Sequence, residues 1–382
     1  MTKNSIDIPF VFGVKVEGDT FTDRKVETQN LLMNFKYGTN TILISPRRMG
    51  KTSLVEKVCS LVDDPDIRIA HIDAFGLRGE IDFVNAFATA VIKATSNKWD
   101  EWMENTKVFL SRFVPKVTIG QDPFNEFSIS LECNPANSTT ADVLQLPELI
   151  AKEKGIRIVV CIDEFQQIGE FTDSIIFQKK LRSIWQLQSH VSYCLYGSKK
   201  HMMEKMFMHQ NYPFYRFGDI MYLKKISEED WVSYICSRFK ATGKSISEDL
   251  AHEICKATSC YSSYVQQLAW YTWLNTDVEA TFENLQFAVE RLLDSQDSLF
   301  IQQTEGLSEY QMNFLRAIAE GVHTGFTSKA VLERYRLGTS ANFSRLKKAM
   351  LEKDLIDVPS HSMIDISDPI LLLWLKKRVW KI

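Results

Sequence analysis

Residues 45–53 read Ser45-Pro46-Arg47-Arg48-Met49-Gly50-Lys51-Thr52-Ser53, directly after the apolar run Thr41-Ile42-Leu43-Ile44 and before the helix-forming string Leu54-Val55-Glu56-Lys57-Val58. A strand, a turn and a helix in that order aim backbone N–H groups at an anion. The string fits the phosphate-binding pattern Gly-x-x-x-x-Gly-Lys-Ser/Thr except at its first position, where Ser45 replaces glycine. Gly50 lets the backbone approach a phosphate closely. Lys51 is placed for the β- and γ-phosphates, and the Thr52 hydroxyl for Mg2+. With Ser45 at its mouth, the entry turn must avoid left-handed angles or accept strain.

A second string, Ile156-Arg157-Ile158-Val159-Val160-Cys161-Ile162-Asp163-Glu164, is an apolar run ending in two acids. It reads as a strand buried on both faces, as parallel sheets require. Asp163 at its tip is placed to hold the metal, directly or through water, and Glu164 to polarise an attacking water. The bland alternative is that Asp163 caps the next helix. Lys51, Asp163 and Glu164 are therefore the expected catalytic residues, with Thr52 and Asp163 the metal ligands.

The elements that position these strings alternate between strand and helix up to about residue 225, which argues a mainly parallel sheet with helices on both faces. Ile67-Arg68-Ile69-Ala70-His71-Ile72-Asp73 is a strand, residues 83–94 an amphipathic helix, residues 190–196 a buried strand, and Met221-Tyr222-Leu223 the last strand. Alternation in 114–119 and 126–132, with Gly120-Gln121-Asp122-Pro123 between, predicts an inserted hairpin at about 114–133. From Ser227 the pattern is helical. Capping signals stand at Ser227 and Ser247, and the string Tyr264-Val265-Gln266-Gln267-Leu268-Ala269-Trp270 and residues 281–293 complete a bundle. From Leu307, three helix patterns and two short strands spell a winged helix. The expected domains are thus 1–225, 226–306 and 307–382.

At 382 residues the chain is long enough for two or three cores, and its net charge of -3 excludes a general polyanion binder. Residues 307–382 hold 12 Lys+Arg and 8 Asp+Glu, a net +4, which is compatible with nucleic-acid contact. Seven scattered cysteines read as reduced packing thiols of a cytoplasmic protein. Without paired Cys-x-x-Cys spacing, zinc is not expected, and His71 and His190 read as strand-end structure. The N-terminal residues lack an apolar signal core, and no apolar run is long enough to span a membrane. The string Ile370-Leu371-Leu372-Leu373-Trp374-Leu375 reads as a packed helix, with a membrane-surface role as the alternative.

Together these strings resemble the archaeal-type ATPase family, in the STAND branch of the AAA+-related P-loop ATPases. The resemblance spans nearly the whole chain. It rests on Phe21-Thr22-Asp23-Arg24-Lys25-Val26-Glu27, which such proteins place near adenine, and on the loop string from Pro46 to Leu54. Asp163-Glu164-Phe165-Gln166, Gly197-Ser198, Pro213-Phe214-Tyr215-Arg216, Tyr264-Val265-Gln266-Gln267-Leu268 and Asp368-Pro369 with Trp374 extend it. The resemblance implies ATP with Mg2+, a helical lid and the polar end of a sensor strand at Gly197-Ser198. ATP over GTP rests on it alone. Cys260-Tyr261-Ser262 stands where the family carries Gly-x-Pro, so no lid-side sensor is assigned.

Bland readings stand beside these. Arg47 and Arg48 either line the phosphates or pair with nearby acids. Ser198 either orients water or caps a helix. Arg216 either reaches a neighbouring subunit or forms an intradomain salt bridge. Trp270, Tyr271 and Trp273 read as lid core rather than a base-stacking platform. Arg345, Lys347 and Lys348 fall where a recognition helix would contact duplex DNA, although winged helices also pack as lids or hold protein partners. The functions consistent with the sequence are an ATPase coupling hydrolysis to movement of the winged helix, a slow-turnover nucleotide switch or adaptor acting through protein partners, and a DNA-binding regulator with ATP mainly structural. The oligomeric state is left open.

Overall fold

Thr41-Ile42-Leu43-Ile44 forms a strand in which every residue is buried, as a continuous apolar run demands of a central strand. The computed structural model describes residues 8–13, 21–96, 117–121, 127–131, 139–360 and 363–382. They fall into two units, Arg24–Lys224 and, with the described residues before it, Lys225–Ile382.

The first unit runs α1 (Lys25–Tyr37), β1 (Thr41–Ile44), α2 (Lys51–Leu61), β2 (Ile67–Asp73), α3 (Glu80–Ala94), β3 (Val117–Gln121), β4 (Phe127–Leu131), α4 (Thr139–Lys154), β5 (Arg157–Asp163), a 3-10 turn (Phe165–Glu170), α5 (Ser174–Trp185), β6 (Val191–Gly197), α6 (Lys200–Met208) and β7 (Asp219–Tyr222). Its parallel sheet of five strands has the order β2-β5-β6-β1-β7. One face carries Ala70, Ile72, Ile158, Val160, Ile162, Tyr193 and Leu195 into the core with α3, α4 and α5. An aromatic group fills it, with Trp185 stacked on Tyr193 at 4.0 Å.

β3 and β4 pair antiparallel, Val117 opposite Leu131 and Gln121 opposite Phe127. Gly120 and Gln121 are strand residues, a correction to the turn expected there: pairing outward along the ladder outweighs the local turn preference of glycine. The remainder of the expected hairpin, including Asp122 and Pro123, lies outside the described residues.

The second unit contains α7 (Glu228–Ala241), α8 (Glu248–Thr258), α9 (Ser262–Leu274), α10 (Phe282–Glu305), α11 (Glu309–Ala319), α12 (Lys329–Arg334), α13 (Ser340–Glu352), β8 (Ile356–Ser360), β9 (Met363–Ile366) and α14 (Pro369–Trp374), continued by a π-helical turn Leu375–Trp380. Phe10 joins this unit because its ring inserts beside Tyr234 and Phe239, at 6.1 and 5.7 Å. One apolar core runs from Trp231 of α7 through Tyr264 of α9 to Phe314, Phe343 and Trp374. The helical bundle and the winged helix are therefore packed as one body. Polar contacts add to it: the Tyr264 hydroxyl donates to Asp368 Oδ2 at 2.7 Å, and Asp368 Oδ1 caps α14 through Ile370 N at 2.9 Å. No helix among the described residues is long and apolar enough to cross a membrane.

Candidate functional site

β1 delivers the chain to Ser45, and α2 begins at Lys51, so the loop between them lies at the carboxyl end of the sheet. Ser45 is buried and does not take positive φ; its hydroxyl donates to Pro46 O at 3.0 Å. The left-handed angles fall later, at Arg48 (φ 66°) and Gly50 (φ 83°). At Gly50 a Cβ would meet nothing within 4 Å, so the residue's role there is conformational and leaves the loop open toward an approaching group. Arg47 is exposed and Arg48 half-buried, whereas the Met49 side chain is buried, so Met49 can offer a ligand only its backbone.

Lys51 is 6% exposed, and its ammonium faces the loop carbonyls of Pro46 at 3.2 Å and Ser45 at 3.5 Å. Burial holds its pKa below the usual lysine value, opposed by the negative charges of Glu164 and Asp163. An anionic ligand would relieve that desolvation cost by pairing with the ammonium.

The neighbouring α2 residue, Thr52, donates its hydroxyl to Asp163 Oδ2 at 2.7 Å, and Asp163 Oδ1 accepts from Glu164 N at 2.8 Å. Burial raises the Asp163 pKa, and these two hydrogen bonds oppose the rise. Asp163 does not cap the following 3-10 turn, whose first residue is preceded by Glu164 with no side-chain cap. A hydroxyl and a carboxylate meeting at this distance are a hard-oxygen donor pair of the kind Mg2+ takes, so the residues fit that ion.

Glu164 sits at φ 50° and ψ 39°. Phe165, fully buried against Phe207 (5.7 Å) and edge-on to Phe214 (5.3 Å), anchors this unfavourable turn. The Glu164 carboxylate accepts from Ser198 Oγ at 2.8 Å, from Ser198 N at 3.3 Å and from Gln166 Nε2. Arg47 Nε reaches the same Ser198 hydroxyl at 3.4 Å. Ser198 thus serves Glu164 rather than capping α6, which begins after Lys199 without a side-chain cap.

Arg216 takes φ 54°, is exposed, and lies over the Tyr215 ring at 5.2 Å. Among the described residues no carboxylate pairs with it. The segment is fixed by Phe214 in the aromatic core.

Two contributors were not singled out by the sequence. Gln166 is 2% exposed, and its Oε1 has no partner among the described residues. It packs so closely on Gly197 that a Cβ there would lie 1.9 Å from that oxygen. Arg24, 3% exposed at φ 67°, reaches Met49 O at 3.4 Å, Glu27 Oε1 at 3.1 Å and the Lys224 carbonyl, tying the start of α1 to the loop. The string around Arg24 was legible through resemblance; its bracing of the loop was not.

In the winged helix, Arg345 and Lys348 are exposed on α13 and Lys347 is half-buried. Trp270 and Trp273 stack at 5.1 Å against the core of the second unit, consistent with packing.

The sequence family described as "Probable winged helix domain" matches residues 298–377. Among solved structures, the chain is similar to a Walker-type ATPase of Pyrococcus abyssi, with TM-score 0.69 and 17% identity over 96% of this chain and 99% of that one. It is also similar to the Aeropyrum pernix ORC2 protein in its ADPNP-ADP complexes, with TM-score 0.58 and 12% identity over 97% of each chain. No curated protein matches it by sequence. The fold is therefore the α/β P-loop NTPase fold seen in archaeal Walker-type and ORC-type ATPases, with a winged helix at the C-terminus.

Proposed function

We propose that the chain binds ATP with Mg2+ at residues 45–53 and hydrolyses it to ADP and phosphate. The observation that carries this reading is the convergence of buried Lys51 with the Thr52–Asp163 pair at 2.7 Å. The adenine base follows the sequence resemblance and the nucleotides named for the ORC2 structure. The loop amides and Lys51 bind and neutralise the phosphates, while Thr52 and Asp163 would hold the ion. Bound Mg2+ would supply charge neutralisation on the phosphate oxygens.

Glu164 is the general base. Its Oε2 accepts from Ser198 and Gln166, which fix the carboxylate, and Oε1, without a donor among the described residues, is the oxygen that accepts a proton from water. Single-turnover hydrolysis with and without Mg2+ tests both parts: metal-dependent phosphate release supports the reading, and no nucleotide binding in either condition overturns it.

A DNA-binding role for the winged helix is a second reading, favoured by the exposed Arg345 and Lys348 on α13. Nucleotide state would then be coupled to the bundle and winged helix moving as one body, and the linkage would be reciprocal.

A further inference from the structure

His71 on β2 and Cys161 on β5 are lateral partners in the parallel ladder, so their side chains leave the same face of the sheet. Cys59 comes from α2, and the donor atoms of Cys59, His71 and Cys161 all lie within 4.8 Å of one another. Three soft or borderline donors thus converge from three separate elements, although they are far apart in sequence. We propose that Cys59, His71 and Cys161 bind one d10 cation of the Zn2+ class.

A tetrahedral zinc with Zn–S near 2.3 Å and Zn–N near 2.0 Å holds its donors about 3.5–4 Å apart, so little inward movement is needed. Two thiolates and one neutral imidazole carry the charge that balances a divalent ion. Burial is graded across the group: Cys161 is buried, Cys59 intermediate and His71 exposed, which gives the ion an entry path from the His71 side. Cys194, the lateral partner of Cys161 on β6, is a further buried thiol on the same face. Hard Mg2+ would not compete for these donors.

The location gives the site a consequence. Cys59 shares α2 with Lys51 and Thr52, and Cys161 shares β5 with Asp163. An ion here would clamp α2 to β2 and β5, the elements whose spacing sets the Thr52–Asp163 contact.

The test uses the full chain, reduced with a phosphine, freed of metal and titrated with Co2+. The expected result is thiolate-to-cobalt charge-transfer and tetrahedral d–d bands that saturate at one equivalent, are displaced by Zn2+ and are unaffected by Mg2+. Cys59→Ser and His71→Asn, at positions not fully buried, should weaken binding by about 10-fold or more while retaining the wild-type circular dichroism. Zn2+ should raise the Tm of the wild type and not of these variants. A Cys255→Ala/Cys260→Ala variant should keep the bands, excluding the pair of thiols in the second unit. Absence of charge-transfer bands in the wild type, or equal affinity in Cys59→Ser and His71→Asn, would overturn the proposal.

Discussion

Thr52 and Asp163, 111 residues apart in sequence, are joined by a hydroxyl-to-carboxylate hydrogen bond of 2.7 Å. It links the first turn of the loop helix to the tip of a central strand, and places two hard oxygens beside the buried Lys51 ammonium. Glu164, the next residue along the chain, stands at the same junction with its carboxylate turned to Ser198.

Replacing Glu164 with Gln keeps the shape and removes the proton acceptor. ATP binding should persist while single-turnover hydrolysis falls by about 100-fold or more. Rates equal to wild type in Glu164→Gln would place the base elsewhere.

Ser198 contributes two of the donors on Glu164. Ser198→Ala removes the hydroxyl and leaves Ser198 N and Gln166 on Oε2, loosening the carboxylate whose open Oε1 faces the water. Single-turnover hydrolysis should fall a few-fold with nucleotide affinity unchanged. A rate equal to wild type would contradict a positioning role for the hydroxyl.

Much of this junction was legible in the sequence. The strand over residues 67–73 shows as apolar residues interrupted by Arg68 and His71, the acid strand as a nearly continuous apolar run, and the loop string names its own chemistry. Helices α1, α4, α5 and α6 were not individually read, since their apolar positions are interrupted by polar residues and, in α4, by Pro147. The partners of Glu164 could not be read, because Ser198 reaches it only through the order of β5 and β6. The meeting of Cys59, His71 and Cys161 depends on the same strand register and on where α2 crosses it. Spacing suggested isolated packing thiols and a strand-end histidine; His71 instead lies within β2 beside two thiols.

Glu148 on α4 accepts from Ser189 N (3.2 Å) and His190 N (2.9 Å), and pairs with His190 Nδ1 and Lys152 Nζ, both at 3.0 Å. Burial pushes its pKa up, but the contacts with His190, Lys152 and Ser189 outweigh it and bring the value down to about 2. The depressed pKa means stability that is fully present above the ordinary glutamate pKa. It is lost as pH falls from about 4.5 toward about 2. Glu148→Gln should cost on the order of 1–3 kcal/mol at neutral pH and flatten the acid limb of the unfolding curve. Denaturant melts across that pH range check it; an unchanged acid limb would contradict the assignment.

Tyr264 on α9 and Asp368 at the start of α14 are joined at 2.7 Å. Tyr264→Phe should lower stability by about 1 kcal/mol, and Asp368→Ala, which also removes the α14 cap, by more. Chemical denaturation should show one transition for the bundle and winged helix in both variants. Separate melting of the two segments would contradict their shared core.

If the winged helix binds duplex DNA, replacing Arg345, Lys347 and Lys348 with alanine should weaken binding. It should also flatten the salt dependence by about one unit of slope for each phosphate no longer neutralised. Fluorescence anisotropy at low salt reads both. No binding by the wild type in either nucleotide state would leave α13 as a protein-docking or packing surface.

The most direct test of the central claim is calorimetric titration of ATP with Mg2+ into the wild type and Lys51→Ala. Lys51 is the buried cation that faces the loop carbonyls of Ser45 and Pro46. The wild type should bind one equivalent, and Lys51→Ala should bind roughly 10–100-fold more weakly, or weaker still, while folding normally. Equal affinity in the two proteins, or no binding by the wild type, would contradict the assignment of residues 45–53 as a nucleotide site.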